Sequence, residues 1–214
     1  MHIDKVTTPN EEYGALNDIL EVKNIILKRE DKHIYGSHKG RSIPKMIDIY
    51  MEQGIKEFAI SSSGNAGLAA GLYIKEINKY REEKIKLEIL VGNKVNKIKL
   101  KKISNILDEN IRLSQVEKPL QSLFERTKDE GIRGLRQSTD DNALLGYDSL
   151  AQEIINIPDV KRVYIGSSSG TTAQALLEYF IKNKKNIEVN IVQTSSCHYM
   201  VDGISEDIPK DEIS

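Results

Sequence analysis

Two stretches of the sequence share one plan. Residues 60–74 read ISSSGNAGLAAGLYI, and residues 166–180 read GSSSGTTAQALLEYF. In each, an apolar run leads into a run of serines and a glycine, followed by a helical pattern rich in alanine and leucine. A strand that turns into a helix in this way aims several backbone N–H groups at one point. The helix dipole adds partial positive charge there, and the serine hydroxyls add further donors. The chemistry this suits is the binding of a phosphate or a carboxylate. In an open parallel sheet both turns lie at the carboxyl ends of strands, where ligands bind. One such turn is commonly a plain helix cap. Two in one chain imply a ligand with two anionic groups, or two anionic ligands side by side.

A third stretch, YGSHKGRSIP at residues 35–44, supplies a nucleophile. Lys39 lies in a Gly-flanked polar loop, ahead of a helix for which Ser42 is the expected N-cap. The helix N-terminus and the neighbouring Arg41 lower the pKa of its amine and free it to attack a carbonyl. A nucleophilic lysine beside two anion cradles calls for a carbonyl cofactor that carries a phosphate. Pyridoxal phosphate answers that description.

The elements that must hold these groups alternate between two periods. Ile85, Leu87, Ile89 and Val91 repeat every second residue, as do Ile187, Val189 and Ile191, and apolar runs at 58–60 and 163–165 read as buried strands. Between them run helical faces: Ile43, Met46, Ile47 and Tyr50, stopped at Gly54, then Ala66, Ala69, Ala70, Tyr73, Ile77 and Tyr80. Leu120, Leu123, Phe124 and Thr127 form a third face, and Leu150, Ala151, Ile154 and Ile155 a fourth. Alternation of this kind predicts an α/β fold with mostly parallel, twisted sheets and helices on both faces.

Composition narrows the partners. The chain has 214 residues, 39% hydrophobic and 29% charged, with Lys+Arg 31 against Asp+Glu 32 and a net charge of −1. No whole-chain charge draws it to nucleic acid or to an acidic membrane. One cysteine excludes an intramolecular disulfide framework and a Cys-based zinc site. The four histidines show no ligand spacing, so no metal is expected. No apolar run approaches the roughly 20 residues of a membrane span. The expected setting is the cytoplasm.

Taken in order and spacing, the three motifs resemble those of the fold-type II pyridoxal-phosphate enzymes, the family of threonine synthase, threonine dehydratase, cysteine synthase and the tryptophan synthase β subunit. The segment ILKREDKHIYGSHKGRS at residues 26–42 is similar to the family's Schiff-base lysine region, and its His-Lys pair is closest to the tryptophan synthase β subunit. SSSGNAG at 61–67 is similar to the family's asparagine loop, and GSSSGTT at 166–172 stands in the place of its phosphate loop.

The resemblance implies roles. Lys39 forms the Schiff base and then moves the substrate's Cα proton. Asn65 bonds the cofactor's phenolic oxygen. The amides around Ser62, Ser63, Gly64 and Asn65 hold the substrate carboxylate. Ser167, Ser168, Ser169, Gly170 and Thr171 bind the phosphate, with His38 also in reach. It further implies a two-domain architecture. Residues 1–42 with 143–214 would anchor the cofactor phosphate, and residues 43–142 would form a smaller inserted domain. The implied activity is that of a lyase or synthase acting on a small amino acid by β-elimination or β-replacement, as a homodimer.

Three departures accompany the resemblance. Gly40 follows the lysine where many relatives carry a larger polar residue. The phosphate loop is rich in serine rather than glycine. The chain also stops at Ser214, short of the strands that supply a hydroxyl or thiol facing the pyridine nitrogen, so the fold is expected to be incomplete at its C-terminus. Two other readings follow from these departures: a non-catalytic or partner-dependent protein that keeps the pocket, and a phosphate- or nucleotide-binding domain without Schiff-base chemistry.

Other motifs read as ordinary surface. Cys197 and His198 are adjacent in an extended stretch and point to opposite sides, which prevents a Cys/His pair. KVNKIKLKK from Lys94 has no interleaved aromatics, and reads as a solvated amphipathic helix buried through Val95, Ile98 and Ile103. The polar tail after Asp202 is expected to be loosely ordered.

Overall fold

The computed structural model describes residues 6–21, 24–128 and 131–193. The Cys197–His198 pair and the tail beyond Asp202 lie outside the described residues. The chain divides into two compact units, residues 1–135 and 136–214.

The first unit opens with β1 (Asn10–Glu12), α1 (Gly14–Leu20) and β2 (Ile26–Lys28), the two strands pairing antiparallel. Then come α2 (Lys39–Glu52), β3 (Glu57–Ser61), α3 (Asn65–Asn78), β4 (Lys86–Gly92), α4 (Lys97–Ser104), β5 (Ile111–Val116), α5 (Pro119–Arg126) and β6 (Ile132–Gly134). Strands β3 to β6 form a parallel sheet in the order β5-β4-β3-β6, as the alternation predicts. Ile60 stands opposite Ile89, and Ile89 opposite Leu113.

The central strand β4 is buried on both faces, so Glu88 and Leu90 are enclosed along with the alternating Leu87, Ile89 and Val91. Enclosure of Glu88 requires partners. Burial alone would raise its pKa, but Ser114 Oγ at 2.7 Å, Arg112 Nη2 at 3.0 Å and Arg126 Nε at 3.1 Å outweigh burial and hold the carboxyl below its usual range.

The second unit contains α6 (Asn142–Leu145), α7 (Asp148–Ile155), β7 (Arg162–Gly166), α8 (Thr171–Lys182) and β8 (Glu188–Val192). β7 and β8 pair in parallel, and Tyr147, Leu150, Ile154, Leu176 and Phe180 form the core beneath them. Each fully buried side chain of this size contributes about 2 kcal/mol of transfer free energy.

Several expected details shift. The face Ile43, Met46, Ile47, Tyr50 is buried as expected, and Gly54 follows the helix with φ +88°. Ser42, however, is no cap. It is fully buried inside α2, which begins three residues earlier, at Lys39. Tyr80 lies beyond the end of α3 and is exposed. Leu123 is buried while Leu120 and Phe124 are half exposed, because α5 is only eight residues long and sets a narrow stripe on the sheet. On α4, Ile103 is buried but Ile98 is exposed, since Asn96 caps the helix and leaves its first turn in solvent.

Candidate active site

Lys39 is the first residue of α2. Its backbone N–H reaches Ser37 Oγ at 3.3 Å, and the next two amides turn onto Ser37 O and His38 O. No hydrogen bond or ion pair engages its amine among the described residues. Burial lowers the pKa of this amine. The cause differs from the one expected, because Arg41 does not act as a free positive neighbour. Its guanidinium, 1% exposed, is bound by Glu30 through Nη2 at 2.7 Å and Nε at 3.0 Å. Nη2 also reaches Thr8 Oγ1 and Nη1 reaches Val6 O, both at 3.1 Å, and these bonds tie the N-terminal segment to α2. His38 is pushed down to about 4, first by burial and then by Lys39. It is therefore neutral near pH 7.

The sequence contained no periodic signal for this clamp, since Glu30 and Arg41 lie on different elements. Gly40 also has a reason to be small. A Cβ there would come within 2.3 Å of His33 Nδ1 and 2.9 Å of Tyr35 Cβ.

The asparagine turn belongs to the same unit. The Ser62 N–H bonds Leu90 O at 3.2 Å, and Ser62 Oγ accepts from the amides of Gly64 (3.3 Å) and Gly67 (3.2 Å). The amides of Ser63, Asn65 and Ala66 have no acceptor among the described residues, and they sit at the start of α3. Asn65 itself is exposed. The two segments face each other near their functional residues: a Cβ at Gly36, three residues before Lys39, would meet Cδ2 of Leu68, three residues after Asn65, at 3.4 Å. Lys39 and Asn65 thus begin two neighbouring helices, α2 and α3, which are also joined by a Tyr73 hydroxyl donating to Asp48.

The serine turn of the second unit is built on its own strand pair. The Ser167 N–H bonds Val192 O at 3.1 Å, Ser167 Oγ accepts from the Gly170 amide at 3.0 Å, and Ser169 Oγ lies 2.9 Å from Thr171 Oγ1. Gln193 Nε2 donates to Ser168 O at 3.1 Å. The amides of Ser169, Thr171 and Thr172 have no acceptor among the described residues.

A profile of the pyridoxal-phosphate dependent enzymes matches residues 4–213. The chain belongs to that family. Its cofactor is pyridoxal 5'-phosphate, and the residues present fit this group: a buried amine with no partner among the described residues, and helix-start amides able to receive anions. Among solved structures, a pyridoxal 5'-phosphate-dependent aspartate racemase matches with TM-score 0.76 at 20% identity, covering 87% of this chain and 57% of that one. The processed form of threonine deaminase isoform 2 from Solanum lycopersicum matches with TM-score 0.75 at 20% identity, covering 89% and 55%. Maize serine racemase matches with TM-score 0.74 at 18% identity, covering 88% and 56%. The chain spans little more than half the length of these structures, and the likeness establishes the fold. No curated protein sequence matches it. Among the described residues no helix is long and apolar enough to cross a membrane.

Proposed function

We propose that this chain binds pyridoxal 5'-phosphate through Lys39 and acts on a small amino acid by β-elimination or β-replacement, with threonine-synthase-like or dehydratase-like chemistry. The observation that carries the reading is a buried lysine amine at the start of α2 whose pKa burial lowers, in a chain matched along nearly its whole length by the cofactor's family. The cofactor supplies an electron sink for charge that develops at the substrate's Cα.

The protein's part is to position and to move protons. Lys39 would hold the cofactor's carbonyl carbon and carry the Cα proton, a role that burial favours by lowering the pKa of its amine. Asn65 bonds the phenolic oxygen. Of the amides expected to receive the substrate carboxylate, those of Ser62 and Gly64 are taken by Leu90 O and Ser62 Oγ, which leaves Ser63 and Asn65, joined by Ala66, to receive it. The turn at 167–171 receives the phosphate, with neutral His38 as a further donor. Residues 1–42 with 143–214 then form the phosphate-anchoring domain, and residues 43–142 the smaller one. A cytoplasmic homodimer completes the proposal.

The test is spectroscopic and then chemical. Pyridoxal phosphate added to the pure protein should give a visible absorption band that borohydride bleaches, with the label recovered on Lys39. Lys39→Ala and Lys39→Arg should both lose it, because a guanidinium stays protonated. Serine or threonine should then yield a 2-oxo acid. A D-amino acid product would replace elimination by racemisation. A labelled protein that turns over neither substrate would support the non-catalytic reading.

A further inference from the structure

The residue after the Schiff-base lysine is glycine, and the structure supplies a reason on the opposite side of that turn. His33 is 3% exposed, and its ring lies directly against the Gly40 Cα. A Cβ at Gly40 would stand 2.3 Å from Nδ1 and 2.5 Å from Cε1, closer than atoms can approach without displacement. The ring is held in place by its own backbone. The Tyr35 N–H donates to Nδ1 at 3.2 Å, which fixes Nδ1 as the acceptor and leaves the ring proton of the neutral form on Nε2. The same turn is closed by the Gly36 N–H on His33 O at 2.7 Å, with Gly36 at φ +83°.

This turn is wedged between the two helices that begin at the site. Tyr35 Cβ is the third atom that crowds Gly40, and the Tyr35 ring meets Tyr73 of α3 edge-on at 5.8 Å. A Cβ at Gly36 would meet Cδ2 of Leu68, also of α3, at 3.4 Å. Lys39, by contrast, stands at the first position of α2, where Ser37 Oγ receives its N–H at 3.3 Å. Helix ends fray, and a four-carbon side chain magnifies any tilt of its backbone.

We infer that His33 is a positioning residue for Lys39, acting through Gly40: the buried imidazole sets where the first turn of α2 lies, and so where the lysine amine stands. The inference rests on the Lys39 reading above. It makes glycine at 40 and histidine at 33 a matched pair, with Tyr35 Cβ, 2.9 Å from where a Cβ at 40 would stand, as a second restraint on that position.

The matched pair can be broken and partly restored. In the full 214-residue chain, Gly40→Ala, His33→Ala, His33→Asn and the double variant His33→Ala/Gly40→Ala are compared by two readouts at Lys39. One is borohydride-trapped labelling by pyridoxal phosphate. The other is acylation of the cofactor-free protein by acetic anhydride across pH, followed by peptide mass spectrometry against the exposed Lys97. Gly40→Ala should slow Lys39 labelling by about 100-fold, the scale of a misplacement near 1 Å. The double variant should recover roughly tenfold of that, because losing the ring removes the two shortest approaches, at 2.3 and 2.5 Å, and leaves the one to Tyr35 Cβ at 2.9 Å. Recovery no better than Gly40→Ala alone, in folded protein, overturns the inference.

Should Gly40→Ala fail to fold, His33→Asn decides. The inference requires the half-point of Lys39 acylation to move up toward that of Lys97 as the amine becomes more solvated. A lower Tm with that half-point unmoved reduces His33 to ordinary packing and overturns the inference. If wild-type Lys39 takes no pyridoxal phosphate, the cofactor reading fails by itself, and the acylation arm still judges His33.

Discussion

The turns at 61–65 and 167–171 carry nearly the same letters and are built differently. In the first, the strand runs one serine further, to Ser61, and the second serine, Ser62, caps the helix by accepting from Gly64 and Gly67. In the second, the strand stops at Gly166, and the first serine, Ser167, accepts from Gly170. The glycines accordingly have opposite duties. Gly170 is left-handed, at φ +78°, whereas Gly64 sits at φ −131°, and a Cβ there would meet nothing within 4 Å. The crowding moves one helical turn inward, to Gly67, whose Cβ would stand 2.7 Å from Ser62 O. The equivalent position in α8 is Ala173, which fits. A shared string therefore specifies a strand-to-helix turn. The point at which the strand lets go decides which serine caps and which glycine is indispensable.

The contrast is broken most forcefully at Gly170. Gly170→Val forces a β-branched residue into the left-handed region, at a cost of about 2 kcal/mol or more in thermal or denaturant unfolding. It should also weaken pyridoxal phosphate binding by roughly thirtyfold, the worth of one charge-assisted contact. Unchanged cofactor titration would show that this turn is only a cap.

Next in size is Gly67→Ala, expected to cost about 1–3 kcal/mol through overpacking against the Ser62 carbonyl, whereas an alanine is already in place at 173. A neutral Gly67→Ala would mean the first turn can relax outward.

The serines follow. Ser62→Ala removes the acceptor of two amides and Ser167→Ala that of one, so losses of roughly 2 and 1 kcal/mol should separate them in urea melts. Equal losses would erase the difference in capping.

Smallest is Gly64→Ala, which should change stability by less than about 0.5 kcal/mol, since its Cβ enters open space. Any defect should appear in amino-acid binding and leave cofactor titration alone.

Much of the positioning scaffold could be read from residue types. The strand at 85–91 and the face Ile43, Met46, Ile47, Tyr50 are periodic, and periodicity is local: it survives in the string because each residue reports its own side of one element. The serine turns and Lys39 were visible for a related reason, as small polar residues between apolar runs. The misreadings share the opposite cause. Ser42 has the composition of a cap, yet α2 starts at Lys39 because Ser37 and His38 already close its first turn. Ile98 fits an apolar stripe, but it lies exposed in the first turn of α4.

The sequence by itself determined the alternation of strands and helices, the three chemistry-bearing segments and their order, because propensity, period and turn composition are properties of neighbours along the chain. Tertiary structure alone decided what surrounds the lysine. The clamp of Arg41 by Glu30 and Thr8 joins residues up to 33 positions apart, and no string records it. The loss of water that lowers the Lys39 pKa, and the imidazole that excludes any side chain at position 40, are likewise contacts between segments. Desolvation and steric exclusion depend on which atoms meet in space, and those distances exist only once the chain has folded.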